Sequence, residues 1–181
     1  MSFAVPRLAA LVLAATIVVT VQPRDASAAS DASKPFIGRF GEWEAFHQGK
    51  GRKKVCYVAS IPKKSKGKYK KRGDIQAFVA HHPNVKVLNE VSFNAGYTFR
   101  KGSEVKVIIG KKSFSLFTKD DTAWARDKKT DFALVHAMER GADLVVKGVS
   151  SRGTRTTDLY SLKGFTAAYK AMNKVCGVKL K

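Results

Sequence analysis

Acidic residues are scarce in this chain: 14 Asp and Glu stand against 34 Lys and Arg, a formal charge of +20 at pH 7 over 181 residues. That imbalance argues against cationic partners and favours anionic ones. Cysteine is scarcer still. Cys56 and Cys176 are the only two. The four histidines do not supply a metal site. His81 and His82 are adjacent, so on a strand they point to opposite faces, and His47 and His136 have no ligand partner at a recognisable spacing. Asp120-Asp121 lacks the regular oxygen spacing of a calcium loop and reads as a turn. No metal and no cofactor are expected. A serine in a glycine-flanked elbow is missing, as is a cysteine placed to act as a thiolate. Glu42 and Glu44 alternate about Trp43, but no apolar pocket that would raise one of their pKa values is discernible. The expectation is a protein that binds rather than catalyses.

Long apolar runs are also missing, with one exception. Leu8 to Val21 is a 14-residue run behind Arg7, and Ala26-Ser27-Ala28 follows as a small-residue cleavage pattern. A bilayer-spanning helix needs about 20 residues, so residues 1–28 read as a cleavable secretory signal, with a retained anchor as the alternative. No cysteine lies near the cleavage point to take a lipid. Residues 29–35 then form a short polar stretch and residues 36–181 a single domain without a transmembrane span. Losing Arg7, Arg24 and Asp25 leaves a charge of +19. In an oxidising compartment Cys56 and Cys176 are the right number for one disulfide, two buried free thiols being the alternative.

Period-2 alternation marks strands around Trp43 to His47, at Val55 to Ile61, at Ile75 to His81 and at Val105, Val107 and Ile109, with Phe114 and Leu116 beyond a Gly110-Lys111-Lys112 turn. Leu144 to Val149 and Thr154 to Tyr160 flank Ser150-Ser151-Arg152-Gly153, a turn composition. The period changes over Asp131 to Arg140, predicting a short crossing helix that puts Phe132, Val135, His136 and Glu139 on one side, with Leu134 and Met138 nearby. Phe165, Ala168, Tyr169, Met172 and Val175 recur at helical spacing after Gly164, with Cys176 on the same side. About eight strands, two short helices and no strand–helix alternation predict a mainly β fold: an antiparallel β-sandwich, immunoglobulin-like or small and barrel-like, with a crossing helix and a C-terminal helix. Trp43, Tyr97, Phe99, Phe114, Phe117, Trp124, Tyr160 and Phe165 fall within these patterns and are assigned to packing rather than to a stacking surface.

Cys56-Tyr57, Asn89-Glu90-Val91-Ser92, Gly96-Tyr97-Thr98-Phe99, Phe114-Ser115-Leu116-Phe117, Ala123-Trp124, Ser150-Ser151-Arg152-Gly153-Thr154 and Leu159-Tyr160-Ser161-Leu162-Lys163-Gly164-Phe165 occur in that order. Their succession over most of residues 36–178 resembles the invasion-associated locus B family. The resemblance implies an exported bacterial protein, periplasmic or outer-membrane-associated, with a β-rich fold and, in some pathogenic members, a link to entry into host cells; secretion is the alternative localisation. It implies no catalytic residues. The lysine segment at 63–72 is longer and more basic than the family pattern.

Residues 50–72 carry the strongest physical signal. Lys50, Arg52, Lys53, Lys54, Lys63, Lys64, Lys66, Lys68, Lys70, Lys71 and Arg72 are 11 basic residues in 23 positions without one acid. Within it Lys63 to Arg72, between two strand patterns, reads as a mobile hairpin loop with its charges in water, attracting polyanions at long range in a salt-dependent way. Nine of the 11 are lysines, whose compact ammonium groups favour diffuse capture over bidentate recognition. Export removes nucleic acid as a routine partner. That leaves anionic envelope components such as lipid A phosphates, acidic envelope proteins or sulfated host-surface glycans; a loop that merely solubilises the protein is the plain alternative. Arg152 and Arg155, flanking Gly153-Thr154, form either an anion-binding turn or an ordinary hairpin turn. Oligomeric state is not legible.

Overall fold

The computed structural model describes residues 36–179. The signal at 1–28 and the polar stretch at 29–35 lie outside the described residues. Eleven strands follow in chain order: β1 (Phe36–Phe40), β2 (Trp43–Gln48), β3 (Val55–Ser60), β4 (Lys64–Lys66), β5 (Gln76–His82), β6 (Val87–Asn94), β7 (Glu104–Ile109), β8 (Lys112–Lys119), β9 (Thr122–Trp124), β10 (Asp143–Val149) and β11 (Arg155–Ser161). Helix α1 (Lys128–Arg140) crosses between β9 and β10, and α2 (Phe165–Cys176) ends the fold. The mainly β class with one crossing and one C-terminal helix is as expected. None of the helices among the described residues is long and apolar enough to cross a membrane.

All pairings are antiparallel, in the order β1-β2-β3-β5-β6-β9-β8-β7-β10-β11-β4. Strands β3 and β4 are joined by only three residues, yet they lie eight places apart in that order. A flat sheet cannot satisfy both facts, so the sheet rolls until β3 approaches β11. Three contacts close the roll: the Trp43 indole N–H donates to the Ser161 carbonyl at 2.9 Å, Glu42 N–H to the Lys163 carbonyl at 3.0 Å, and Lys63 N–H to the Leu159 carbonyl at 2.7 Å. The two packed layers of the expected architecture therefore belong to one barrel-like sheet. Its interior receives Val58, Val79, Val91, Phe93, Val105, Val107, Leu116, Leu144 and Tyr160, all buried, and Phe93 meets Tyr160 from across the roll at 6.2 Å.

Helix α2 packs on β1, β2 and β3 through Phe165, Ala168, Tyr169 and Met172. Phe165 meets Trp43 edge-on at 4.9 Å. The Cys56–Cys176 disulfide pins the end of α2 to β3.

Strand β9 covers only Ser92–Asn94 of β6, and α1 lies along the rest of that strand. Helix α1 begins at Asp127, whose carboxylate accepts the Thr130 N–H at 2.7 Å. Its buried face is Asp131, Leu134, Val135, Ala137 and Met138, which corrects the predicted face: His136 is exposed and Phe132 is 45% exposed. The shift arises because Asp131 turns inward to accept the Val91 N–H at 2.9 Å, capping an edge group that β9 leaves unpaired.

Burial, with Glu90 and Asp127 nearby, pushes the Asp131 carboxyl up from 3.8 to about 6 against the pull of the Val91 N–H. The folded state thus binds this proton more tightly than the unfolded chain, so the ionised form costs stability above about pH 6 and the cost disappears by about pH 4. Asp131→Asn, which keeps an acceptor for Val91, is expected to raise Tm at about pH 8 and leave it unchanged at about pH 4. Thermal melts at the two pH values check this; a lower Tm at the higher pH would contradict it.

Candidate functional site

The basic segment is a strap rather than a free loop. Gly51–Lys53 form one tight 3-10 turn before β3, and Lys64–Lys66 pair as β4 along β11. Gly67 then makes the closest approach: a Cβ there would lie 2.9 Å from Thr156 Cγ2, and its φ of +149° is one that side chains rarely allow. Tyr69 stacks on Tyr97 with ring centroids 5.3 Å apart. Gly73 N–H donates to the Gly96 carbonyl at 2.9 Å and closes the far end.

These contacts sort the eleven predicted cations. Lys50, Lys53, Lys63, Lys64, Lys66, Lys68, Lys70 and Lys71 are exposed. Lys54 is half-buried and donates to the Val175 carbonyl at 3.2 Å, meeting the negative end of α2. Arg52 belongs to the 3-10 turn. Arg72 corrects the reading of it as a solvated charge. Its Nη1 and Nη2 donate to both carboxylate oxygens of Asp158 at 2.7 and 2.6 Å, its Nε to the Ala95 carbonyl at 2.7 Å, and its guanidinium covers the Tyr97 ring at 4.9 Å. With Nε and both terminal nitrogens bonded within the fold and its face over Tyr97, Arg72 anchors the strap.

Ser150 to Thr154 form the β10–β11 turn. Gly153 N–H donates to the Ser150 carbonyl at 2.8 Å, Thr154 N–H to Ser150 Oγ at 3.1 Å, and Ser151 N–H to the Thr98 carbonyl at 2.8 Å. It is a hairpin turn by construction, and its arginines are exposed all the same. The fold brings the two separately predicted basic features together: Gly67 and Lys68 of the strap and Arg152, Gly153, Thr154 and Arg155 of the turn line one open depression of about 630 Å³. Arg100 joins them, with Nη2 2.9 Å from where a Cβ on Gly153 would stand. Nothing in the sequence marked Arg100, since its place depends on the bridge between Phe99 and Ser150. No acid lines the depression, so its field is uniformly positive and suits phosphate, sulfate or carboxylate.

A second cleft, of about 560 Å³, lies between α1 and α2 over Asn89, Tyr169 and Asn173. Beneath it His81 is fully buried and accepts the Asn89 N–H at Nδ1, 3.0 Å away, so Nε2 carries the proton toward Asn173 Oδ1 at 2.6 Å. Burial lowers the imidazole pKa and pushes the Tyr169 phenol up to about 12. Both His81 nitrogens are engaged and the Tyr169 hydroxyl donates to Asn89. The buried polar groups beneath the cleft, His81, Asn89, Tyr169 and Asn173, satisfy one another.

Among the described residues no three His, Cys, Asp or Glu gather as a metal site. Glu44 is bonded to Arg39, His82 faces Glu90 at 3.6 Å, and Asp121 accepts from Asn94 and Thr122 within the β8–β9 turn. Of the eight aromatics assigned to packing, Trp43, Phe99, Tyr160 and Phe165 are buried, and Tyr97 and Phe114 pack against the core. Phe117 and Trp124 stack on each other at 5.8 Å.

Residues 43–173 match the family model described as "Invasion associated locus B (IalB) protein". The crystal structure of invasion associated protein b from Bartonella henselae is similar to this chain with a TM-score of 0.55 at 15% identity, over 77% of this chain and 96% of that one. At that identity the likeness is one of fold. No curated protein sequence matches.

Proposed function

Since the chain belongs to the invasion associated locus B family, we propose that it is an exported, non-enzymatic envelope protein that docks on an anionic envelope or host surface through its basic strap. The observation that carries this reading is that the acid-free segment, which bears eight exposed lysines, meets Arg152 and Arg155 at Gly67 and Lys68, with Arg100 beside Gly153. Residues 1–28 supply the export signal, and a disulfide accords with an oxidising compartment such as the periplasm. Invasion of host cells is what the family's name attaches to its members.

The test is binding of the protein to lipid A vesicles and to heparin with Lys63, Lys64, Lys66, Lys68, Lys70 and Lys71 changed to Gln. A basic residue near an anionic surface contributes about 1 kcal/mol, so the six-fold variant should lose affinity by well over about a hundredfold and show a flatter salt dependence. Its fold should persist, because β4 pairs through backbone groups. Unchanged binding with an unchanged salt slope would sink the proposal.

One observation favours a second reading, an assembly factor contacting an envelope protein. On the outer face of β1, β2, β3 and β5, Phe36, Phe46, Tyr57 and Phe78 form an aromatic ladder with centroids 5.5, 5.1 and 6.2 Å apart. Phe36 at its end is 56% exposed, and Ile61, one residue past β3, is 69% exposed. Cross-linking in intact cells separates the readings: a discrete protein partner retained by the six-fold variant supports assembly.

A further inference from the structure

The register of the sheet places like charges where folding alone would not. Lys106 on β7 and Lys147 on β10 are direct cross-strand partners, and both are exposed on the outer face. Such partners hold their Cβ atoms about 4.5–5.5 Å apart, a destabilising arrangement for like charges. Lys147 in turn pairs with Thr157 on β11, and Thr157 with Lys66 on β4. Lys106, Lys147, Thr157 and Lys66 therefore form one row perpendicular to four adjacent strands, about 14 Å long at the usual strand spacing. Glu104, the acid on this face of β7, is already bonded to Arg126 at 2.6 Å and to Ser115, so it does not neutralise the row. A shallow groove of about 340 Å³ follows the row past Arg155, which also lines the depression at the strap. Arg155 thus joins the row to the strap and turn, while Glu104, which also lines the groove, stands with its partner Arg126 at the β7 end.

From this geometry we infer that the row is a binding track for a linear sulfated or carboxylated polysaccharide laid across the strands, with the strap as its entrance. The inference rests on the docking reading above and names its ligand class. Three features select a linear glycan over other polyanions. The cations are arranged in a line rather than around a pocket. Thr157 interrupts them with a hydroxyl suited to sugar hydroxyls. Phe117, which lies on β8 opposite Glu104, is taken up by Trp124 and by Arg126 at 5.9 Å and so is not free to stack a nucleobase.

The experiment compares the protein with Lys106→Gln/Lys147→Gln and with Lys106→Arg/Lys147→Arg, against heparin oligosaccharides of increasing length, single-stranded DNA of matched charge and lipid A vesicles. For the unaltered protein, heparin affinity should rise with length until the chain covers the row and then level off. The Gln variant should lose at least about tenfold in affinity for the longer oligosaccharides, the Arg variant should restore most of it, and vesicle docking should stay within about twofold. Because a repulsive pair is removed, Tm of the Gln variant should not fall and is expected to rise. Unchanged heparin affinity in the Gln variant would overturn the track while leaving strap docking intact. Equal losses for DNA and heparin would overturn the glycan class. Loss of all binding in a strap variant that keeps Lys66, with Lys63, Lys64, Lys68, Lys70 and Lys71 changed to Gln, and none in the row variant, separates failure of this inference from failure of the docking reading.

Discussion

Opening the Cys56–Cys176 bond should lower the stability of the fold by about 4 to 5 kcal/mol, by the chain-entropy account of a crosslink closing so long a loop. The two cysteines are 120 residues apart and enclose every element from β3 to the end of α2. Reduction therefore releases conformational freedom to nearly the whole unfolded domain while removing little packing from the folded one. Phe165, Ala168, Tyr169 and Met172 still bury α2 on the sheet, and Lys54 still meets the Val175 carbonyl. The appropriate variant is Cys56→Ala/Cys176→Ala, since a single change leaves a reactive thiol. Its denaturant midpoint should fall to that of the reduced parent, and a loss below about 1 kcal/mol would refute the expectation. Binding to heparin should be unchanged wherever the variant is folded, because Lys64–Lys66 and the lysine row are held by the pairing of β4, β7, β10 and β11 and not by α2. A loss of that size would make the protein poorly suited to a reducing compartment, in accord with the export proposed above.

The disulfide, the mainly β class, both helices and the packing role of most aromatics were legible because each follows from local rules: paired cysteines, period-2 alternation, period-3.6 recurrence and glycine stops. Local rules failed where a polar residue took an interior place. Asn89 is buried in the middle of β6, so the alternation that would mark that strand is broken. Asp131 likewise displaced the predicted buried face of α1. Strand β4 consists of Lys-Ser-Lys and has no apolar residue to betray it, because it pairs by backbone alone. For the site, the sequence identified the basic segment and the Arg152–Arg155 turn, but not their meeting at Gly67 or the inclusion of Arg100. Lys106 and Lys147 were invisible for a deeper reason. Each is an ordinary outward residue on its own strand, and only strand order and register, set by the closed sheet as a whole, make them neighbours.

Asp158→Ala is the substitution expected to do the most damage among the buried charges. The Asp158 side chain is 4% exposed and that of Arg72 12%, so the alanine variant leaves a guanidinium buried beside Tyr97 with no counter-charge. Removing one partner from such a pair costs about 3–5 kcal/mol, whereas replacing both by apolar groups of similar size costs far less. The expected order of stability is therefore parent, then Arg72→Met/Asp158→Leu close behind, then Asp158→Ala far below. Equal losses in the single and double variants would show that contact volume, not charge, is what the pair supplies. The same experiment bears on docking, because Arg72 is where the strap is fastened: it ties the strap to β11 through Asp158 and to the Ala95 carbonyl, while Tyr69 lies on Tyr97 next to it. Both variants should loosen the strap, lowering heparin affinity even though every exposed lysine is retained. Salt distinguishes the two populations of charge. At about 1 M salt, where screening acts within about 3 Å, docking by the exposed lysines should vanish while the buried pair keeps its contribution to stability. If docking and stability declined together with salt, the division between anchoring and ligand-facing cations would be wrong.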